Sequence, residues 1–306
     1  MCPDRPTEMN FAIRYLTQYE YDSDVVDNLN ALRVKPHGNG RQRCDEFGVR
    51  LNPEVRLHRH TDYFGTEVVE FEVSRPHRQL SIDVRARVGT KPSPEPPQAT
   101  WEALRDPQYR EAGGEFLLQT DDAPEHSALL GELITTTGAA SSPLATVLLT
   151  SQLIADRFEY RRGATYVDSR ISDLLEAEAG VCQDFVHLGL HLLRHHGIAA
   201  RYVSGYLFVA ESGDSQESVE VDTHAWLEAL LPVSDPANPG DPVWVGVDPT
   251  NRSLAGETHV KIGHGRHYAD VPPIKGVYRG AASAKLEASV TMTRLERTDP
   301  ASIARS

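Results

Sequence analysis

The stretch Lys91-Pro92-Ser93-Pro94-Glu95-Pro96-Pro97 limits what this chain can fold into more than any other segment. Proline fixes φ and has no N–H to donate, so a run this dense suits neither a helix interior nor a central strand and forms a stiff, extended connector. The chain reads differently on its two sides. Before it, from Asn10 to about Arg87, the apolar period is mostly two: Phe11, Ile13 and Tyr15, later Val68, Phe71 and Val73, then Leu80, Ile82, Val84 and Val88, with Gly, Asn, Pro and Asp between the runs. That pattern predicts strands and hairpins, hence an N-terminal β domain over residues 1–95.

Residues 96–285 form the expected core domain. Between Trp101 and Gly138 no period dominates. Pro143 to about Phe158 predicts a helix, with proline suited to the first turn and Leu144, Val147, Leu148, Leu153 and Ile154 able to share a face. A short helix is expected from Ser172 to Glu178, stopped by Gly180 in a left-handed turn. A third runs from Cys182 to His196, with Gly197 as its stop. At ~100° per residue, Phe185, Val186, Leu188, Leu190, Leu192 and Leu193 fall on one side of this helix. Gln183, Asp184, His187, His191, Arg194 and His195 fall on the other, which reads as a solvated face. Cys182 lies mid-way along the apolar side, at a helix start whose unpaired N–H groups and dipole favour a thiolate.

Strands follow at Ala200 to Val209, Thr223 to Leu231 and Val243 to Val247, with an acidic loop from Glu211 to Glu217 and a Pro/Asp/Asn/Gly turn region before the last. Helices followed by consecutive strands describe an α+β fold. In the C-terminal piece, residues 286–306, the alternating run to Leu295 predicts a strand returning to the N-terminal sheet. From Glu296 onward the sequence reads as a frayed tail.

At 306 residues, 40% of them hydrophobic and 25% charged, the chain is ordinary for a soluble globular protein and long enough for two domains. A net charge of −13 disfavours nucleic acid and anionic membranes as general partners, because phosphate binding needs concentrated Lys and Arg. Cys2, Cys44 and Cys182 are three and widely spaced, so neither a disulfide framework nor a paired-cysteine zinc site is legible. No basic-then-apolar leader opens the chain, and no run approaches the ~20 apolar residues of a membrane span. The expectation is a cytoplasmic protein without metal or organic cofactor; oligomeric state is not legible.

Cys182, His224 and Asp248 supply a thiol, an imidazole to activate it and protonate a leaving amine, and a carboxylate to fix the imidazole's tautomer. Taken singly, each has a plainer reading: a small buried hydrophobe, a satisfied strand histidine, and a turn initiator before Pro249. Trp226 reads equally as a shield for the imidazole or as a core aromatic. Asp184, in the first turn of a helix, reads as structural. His187, His191 and His195 recur at a spacing zinc sites use, but face away from Cys182 with no Cys or Glu to complete a set. His264 and His267, in a glycine-rich stretch, read as a turn or cleft rim.

The joint context carries more. Gly180-Val181-Cys182-Gln183-Asp184-Phe185, Arg201-Tyr202-Val203-Ser204-Gly205-Tyr206, Thr223-His224-Ala225-Trp226 and Asp248-Pro249-Thr250-Asn251 resemble the core motifs of the bacterial transglutaminase-like superfamily. So do the stretches from Phe158 to Thr165 and from Gly265 to Pro273. Leu32-Arg33-Val34-Lys35-Pro36 and Asp62-Tyr63-Phe64-Gly65-Thr66 are similar to the β domain often attached to such enzymes. Ala199, where proline is common, and Val186, where alanine is common, depart from the pattern without touching the three chemical residues.

The resemblance implies a papain-like core in which the Cys182 helix packs on an antiparallel sheet. It also implies Cys182 as nucleophile, His224 as general base and acid, and Asp248 as orienting carboxylate. Gln183, Trp226, Tyr202 and Tyr206, with Asp270, are the expected cleft or substrate contacts; Gln183, although adjacent to the oxyanion, projects to the polar side of the wheel. The expected activity is acyl transfer on a peptide or protein amide through a thioester, taken here as hydrolysis. Transamidation and a non-catalytic peptide-binding module are the alternatives.

Overall fold

The computed structural model describes residues 8–120, 123–124, 126–209, 218–233 and 240–296. Cys2, the acidic loop at 211–217, the turn region at 234–239 and the tail beyond residue 296 lie outside them. The N-terminal part holds β1 (Met9–Leu32), β2 (Gln42–Asn52), β3 (His58–Thr61), β4 (Glu67–Val73) and β5 (His77–Thr90). Its period-two pattern buries Phe11, Ile13 and Tyr15 on β1 against Ile82 and Val84 on β5. Strand β1 carries Asp27 at φ 47° within the register break between Val26 and Leu29, and a second break lies between Glu20 and Val25. Its first half pairs with β5, and its last residues, from Asn28 to Leu32, pair with β4.

The connector leads into α1 (Pro107–Gly113), α2 (Ala128–Gly138) and α3 (Pro143–Arg157), where Ser142 caps α3 by accepting the Ala145 N–H ahead of Pro143. Next come β6 (Glu159–Tyr160), α4 (Ile171–Ala177), β7 (Ala179–Gly180) and α5 (Cys182–His195). The left-handed residue that ends α4 is Glu178, at φ 50°, and not Gly180 as expected. Gly180 answers a different need: a Cβ there would lie 2.8 Å from Asp184 Oδ2 and 2.9 Å from Leu174 Cδ1.

Strands β8 (Ala200–Leu207), β9 (Ser218–Val221), β10 (Thr223–Val233), β11 (Gly240–Asp248), β12 (Ser253–Leu254), β13 (His259–Gly265), β14 (Ile274–Arg279) and β15 (Ala284–Leu295) complete the chain. A five-stranded antiparallel sheet has the order β12-β11-β10-β8-β13. The N-terminal sheet runs β2-β5-β1-β15-β9, with β4 and β14 on the far half of β1. The returning C-terminal strand is β15, paired with β1 from Asn10↔Leu295 to Tyr21↔Ala284. Strands β9 and β14, expected within the core segment, also join the N-terminal sheet. A short parallel pair, β6 and β7, sets Tyr160 beside Gly180.

Helix α5 is central, and its apolar side serves two cores. Val186, Leu190 and Leu193 pack with Ala225 and Leu227 of β10, whereas Phe185, Leu188 and Leu192 pack with Ile154, Phe158 and Leu174. Each such fully buried side chain contributes roughly 1.5–3 kcal/mol. The opposite side is only in part the solvated face the helical wheel implies: His195 is exposed, and Gln183, His187 and His191 are half-buried. Asp184 and Arg194 are buried, Arg194 donating to the carbonyls of Ala200 and Arg266. His187 accepts the Tyr268 N–H and packs edge-on against Tyr202. A wheel reports composition, whereas Asp184 is covered by the segment around Thr165, and His187 and Arg194 by the segment from Arg266 to Tyr268.

The two parts of the molecule share a core. Tyr206, Phe208, Val260 and Ile262 belong to the same apolar cluster as Phe11, with the Phe11 and Phe208 rings 5.1 Å apart. The Gln42 side chain donates to the Lys261 carbonyl and accepts the Lys261 N–H. The connector is docked as well: the Ser93 hydroxyl donates to the Ala255 carbonyl.

Candidate active site

With Leu227 opposite Val247, the end of β11 lies beside the first residues of β10, so Asp248 and His224 meet across adjacent strands. His224 Nε2 is 2.8 Å from Asp248 Oδ2. The Cys182 side chain at the start of α5 acts on the same imidazole and favours its charged form. Because Nε2 is committed to Asp248, Nδ1 is the ring nitrogen left for the thiol. Burial alone would lower the imidazole's pKa; Asp248 and Cys182 together outweigh it, and His224 is pushed up to about 10.

Helix α5 has no polar side chain at its N-cap, Val181. Asp184 serves instead, its Oδ2 accepting the Val181 N–H at 2.8 Å and the Thr165 hydroxyl at 2.6 Å. This fixes the turn that carries Cys182. Gln183 is held too, its amide donating to the Val167 carbonyl at 2.9 Å. It pins the loop before α4 and is already engaged there.

Asp248 is fully buried, and five donors satisfy it. Oδ2 accepts from His224, from Asn251 Nδ2 at 2.8 Å and from His259 Nε2 at 3.2 Å. Oδ1 accepts the N–H groups of Thr250 and Asn251. Burial would raise this carboxyl; the bonds from His224 and His259 hold it well below the usual carboxylate range. Sequence reasoning missed His259. The alternation His259-Val260-Lys261-Ile262 carried a strand signal, which the glycines around it masked.

Among the described residues, His224, Asp248 and His259 also place three ligand atoms within 4.8 Å of one another. The hydrogen bonds speak for a different use. Gly256 donates its N–H to His259 Nδ1, so the ring proton sits on Nε2, where it faces Asp248 rather than presenting a lone pair to a cation.

Three expected substrate contacts prove to be interior. Trp226, 2% exposed, packs with Val203 and Ala255 and lies near-parallel to His224, so it walls the imidazole from within. Gly205 makes room for it: a Cβ there would lie 2.5 Å from Trp226 Cη2. Tyr202 is buried behind Cys182 near Tyr268. Tyr206 belongs to the core shared with the N-terminal sheet, against Tyr15. Large aromatics on a strand buried on both faces serve packing first. Asp270 is bound to Arg266, and His264 lies on β13 rather than in a turn.

Residues 11–89 match the bacterial transglutaminase-like N-terminal region, and residues 133–249 match the transglutaminase-like superfamily. An uncharacterised protein of Mycobacterium leprae is 33% identical over 282 residues, covering 91% of this chain and 96% of that one. The chain belongs to the transglutaminase-like superfamily. A second relative, an uncharacterised protein of Mycobacterium tuberculosis, is 32% identical over 299 residues, covering 94% of this chain and 93% of the relative. The crystal structure of a candidate cysteine protease from Cytophaga hutchinsonii shares the fold, with a TM-score of 0.69 at 22% identity over 96% of this chain and 93% of that one. The α+β architecture is thus a transglutaminase-like core preceded by its N-terminal β domain.

The transglutaminase-like sheet buries a second acid on β10. Glu228 Oε2 is 2.6 Å from both Arg201 and Lys261, and the Arg201 guanidinium lies 3.9 Å from the Trp244 ring centroid. Burial would raise Glu228, and the two cations hold it far below the usual carboxylate range. Burial also brings Lys261 down to about 8, against the pull of Glu228.

Proposed function

We propose that this chain is a cysteine-dependent acyl-transfer enzyme that hydrolyses a peptide or protein amide, with Cys182 as nucleophile, His224 as proton carrier and Asp248 as its orienting carboxylate. The observation that carries the reading is His224 itself, bonded to Asp248 and held in its charged form by Asp248 and Cys182 together. With the proton already on His224, whose pKa stands at about 10, the Cys182 sulfur attacks the carbonyl carbon as the thiolate. The backbone N–H of Cys182, at the positive end of α5, supports the oxyanion. The imidazolium then gives its proton to the leaving amine, and a thioester remains. Water attacks that thioester, returns a proton through His224 and releases the acid and the free thiol. Cys182 is only partly buried, which supports water as the second reactant.

Iodoacetamide labelling tests the reading. Cys182 is expected to react faster than Cys44, whose thiol burial pushes up. His224→Ala is expected to slow Cys182 about 100-fold. Equal reactivity of the two thiols refutes the proposal. A glutamine-containing peptide panel with and without a primary amine then separates the outcomes. New carboxyl groups mark hydrolysis and amine incorporation marks transamidation; fast labelling with no turnover marks a binding module.

A further inference from the structure

His259 stands apart from the three residues of the proposed reaction, yet it touches one of them. Its Nε2 reaches the same oxygen, Asp248 Oδ2, that His224 uses. Its own orientation is fixed from three sides. The Gly256 N–H meets Nδ1 at 3.2 Å, the Thr258 hydroxyl lies 3.4 Å from the same nitrogen, and the Trp226 ring stands perpendicular to it at 5.2 Å between centroids. The side chain is 5% exposed, so no water competes for these bonds. A strand histidine needing only burial would not require its proton aimed at the one carboxylate that also holds His224.

We propose that His259 is a positioning residue for Asp248: its Nε2–H fixes the direction of Oδ2 and takes a share of the carboxylate's charge, and so sets how firmly His224 holds its proton. The inference rests on the proposed acyl-transfer reading. Its physical logic is competition. Two ring N–H groups divide one oxygen; remove one, and the charge of Oδ2 falls more fully on the other. An imidazole that holds its proton too firmly is a poorer acid toward a leaving amine, so a second donor tempers the first.

The other charged groups around this site are accounted for. Asp248 on β11 and the Cys182 side chain on α5 face His224. Glu228 on β10 and Lys261 on β13 share a small cavity with His259, together with Arg41 and Lys91 from the N-terminal part. Glu228 and Lys261 are bonded to each other. Asp248 is the acidic side chain that His259 bonds.

The test uses iodoacetate, whose negative charge makes its reaction with Cys182 fall off as the neighbouring imidazolium loses its proton. Three proteins are compared over the alkaline range: the wild type, His259→Phe, which keeps a ring but no donor, and His259→Gln, which keeps an N–H. Phenylalanine is expected to move the alkaline limb of the rate profile up by roughly half a unit to one unit. Glutamine is expected to bring it back toward the wild type. ¹⁵N spectra of the histidine rings supply a readout independent of folding yield, expected to show His259 protonated on Nε2 alone.

An unmoved alkaline limb in His259→Phe overturns the proposal, as does a proton on His259 Nδ1. Equal displacement of the limb by Phe and Gln also overturns it, since a packing change is then enough. These results differ from failure of the underlying reading, in which the wild-type Cys182 is no more reactive than Cys44 and has no imidazolium limb at all.

Discussion

Asp248 and Glu228 are two buried carboxylates on neighbouring strands of one sheet, and their partners differ in kind. Glu228 is matched by Arg201 and Lys261, a guanidinium and an ammonium bonded directly to it. Its field is consumed locally, and the cluster ties β8, β10 and β13 together. Asp248 is matched by two imidazoles, an amide and two backbone N–H groups. Among these donors His224 leads to a partly exposed sulfur. A buried acid closed between two cations is a staple; one bonded to an imidazole that opens onto a thiol is a lever.

The comparison breaks most visibly at the staple. Glu228→Ala strands two buried cations, with an expected loss of about 3–5 kcal/mol in urea unfolding. The Cys182 labelling rate of the molecules that remain folded is expected to be unchanged. Asp248→Asn reverses the pattern: labelling of Cys182 slows about 100-fold, while the unfolding midpoint moves less than in Glu228→Ala. If Glu228→Ala slowed labelling as much as Asp248→Asn, the division between staple and lever would be wrong.

A smaller effect sharpens the lever. Gly205→Ala drives a Cβ to 2.3 Å from the Val260 carbonyl and 2.5 Å from Trp226. The expected cost is about 1–3 kcal/mol of stability, with slower labelling because the indole that walls His224 must shift.

A further effect is in pH. The folded pKa of His224, about 10, is raised above the ordinary 6.5. Its protonation therefore contributes stability that is fully present below about 6.5 and is lost as pH rises through about 10. Thermal melts of the wild type are expected to lose more between pH 7 and 10 than melts of His224→Ala. Parallel slopes would show that His224 does not carry the proton in the folded protein.

Much of this was legible from residue patterns, and the gaps have physical causes. The start of α5 at Cys182, α3 from Pro143 and the returning β15 all follow from long, regular periods. Strand β9 has four residues and β13 is broken by glycine and a register shift, so neither holds a period long enough to read. The polar side of α5 misled because Asp184 is satisfied by the Val181 N–H and the Thr165 hydroxyl, and Arg194 by the carbonyls of Ala200 and Arg266. Tyr202, Tyr206 and Trp226 sit in motifs beside the chemistry, but a motif does not reveal which face of a strand has a second layer behind it.

The pairing of β9 has a consequence for the order in which the molecule can be assembled. β9 ends at Val221, three residues before His224, and in the N-terminal sheet its neighbour is β15. β15 is the last strand among the described residues. Cys182, His224 and Asp248 therefore all precede in sequence the strand that pairs with β9. A product truncated before β15 would bear the parts of the site without the pairing that holds β9 in the N-terminal sheet.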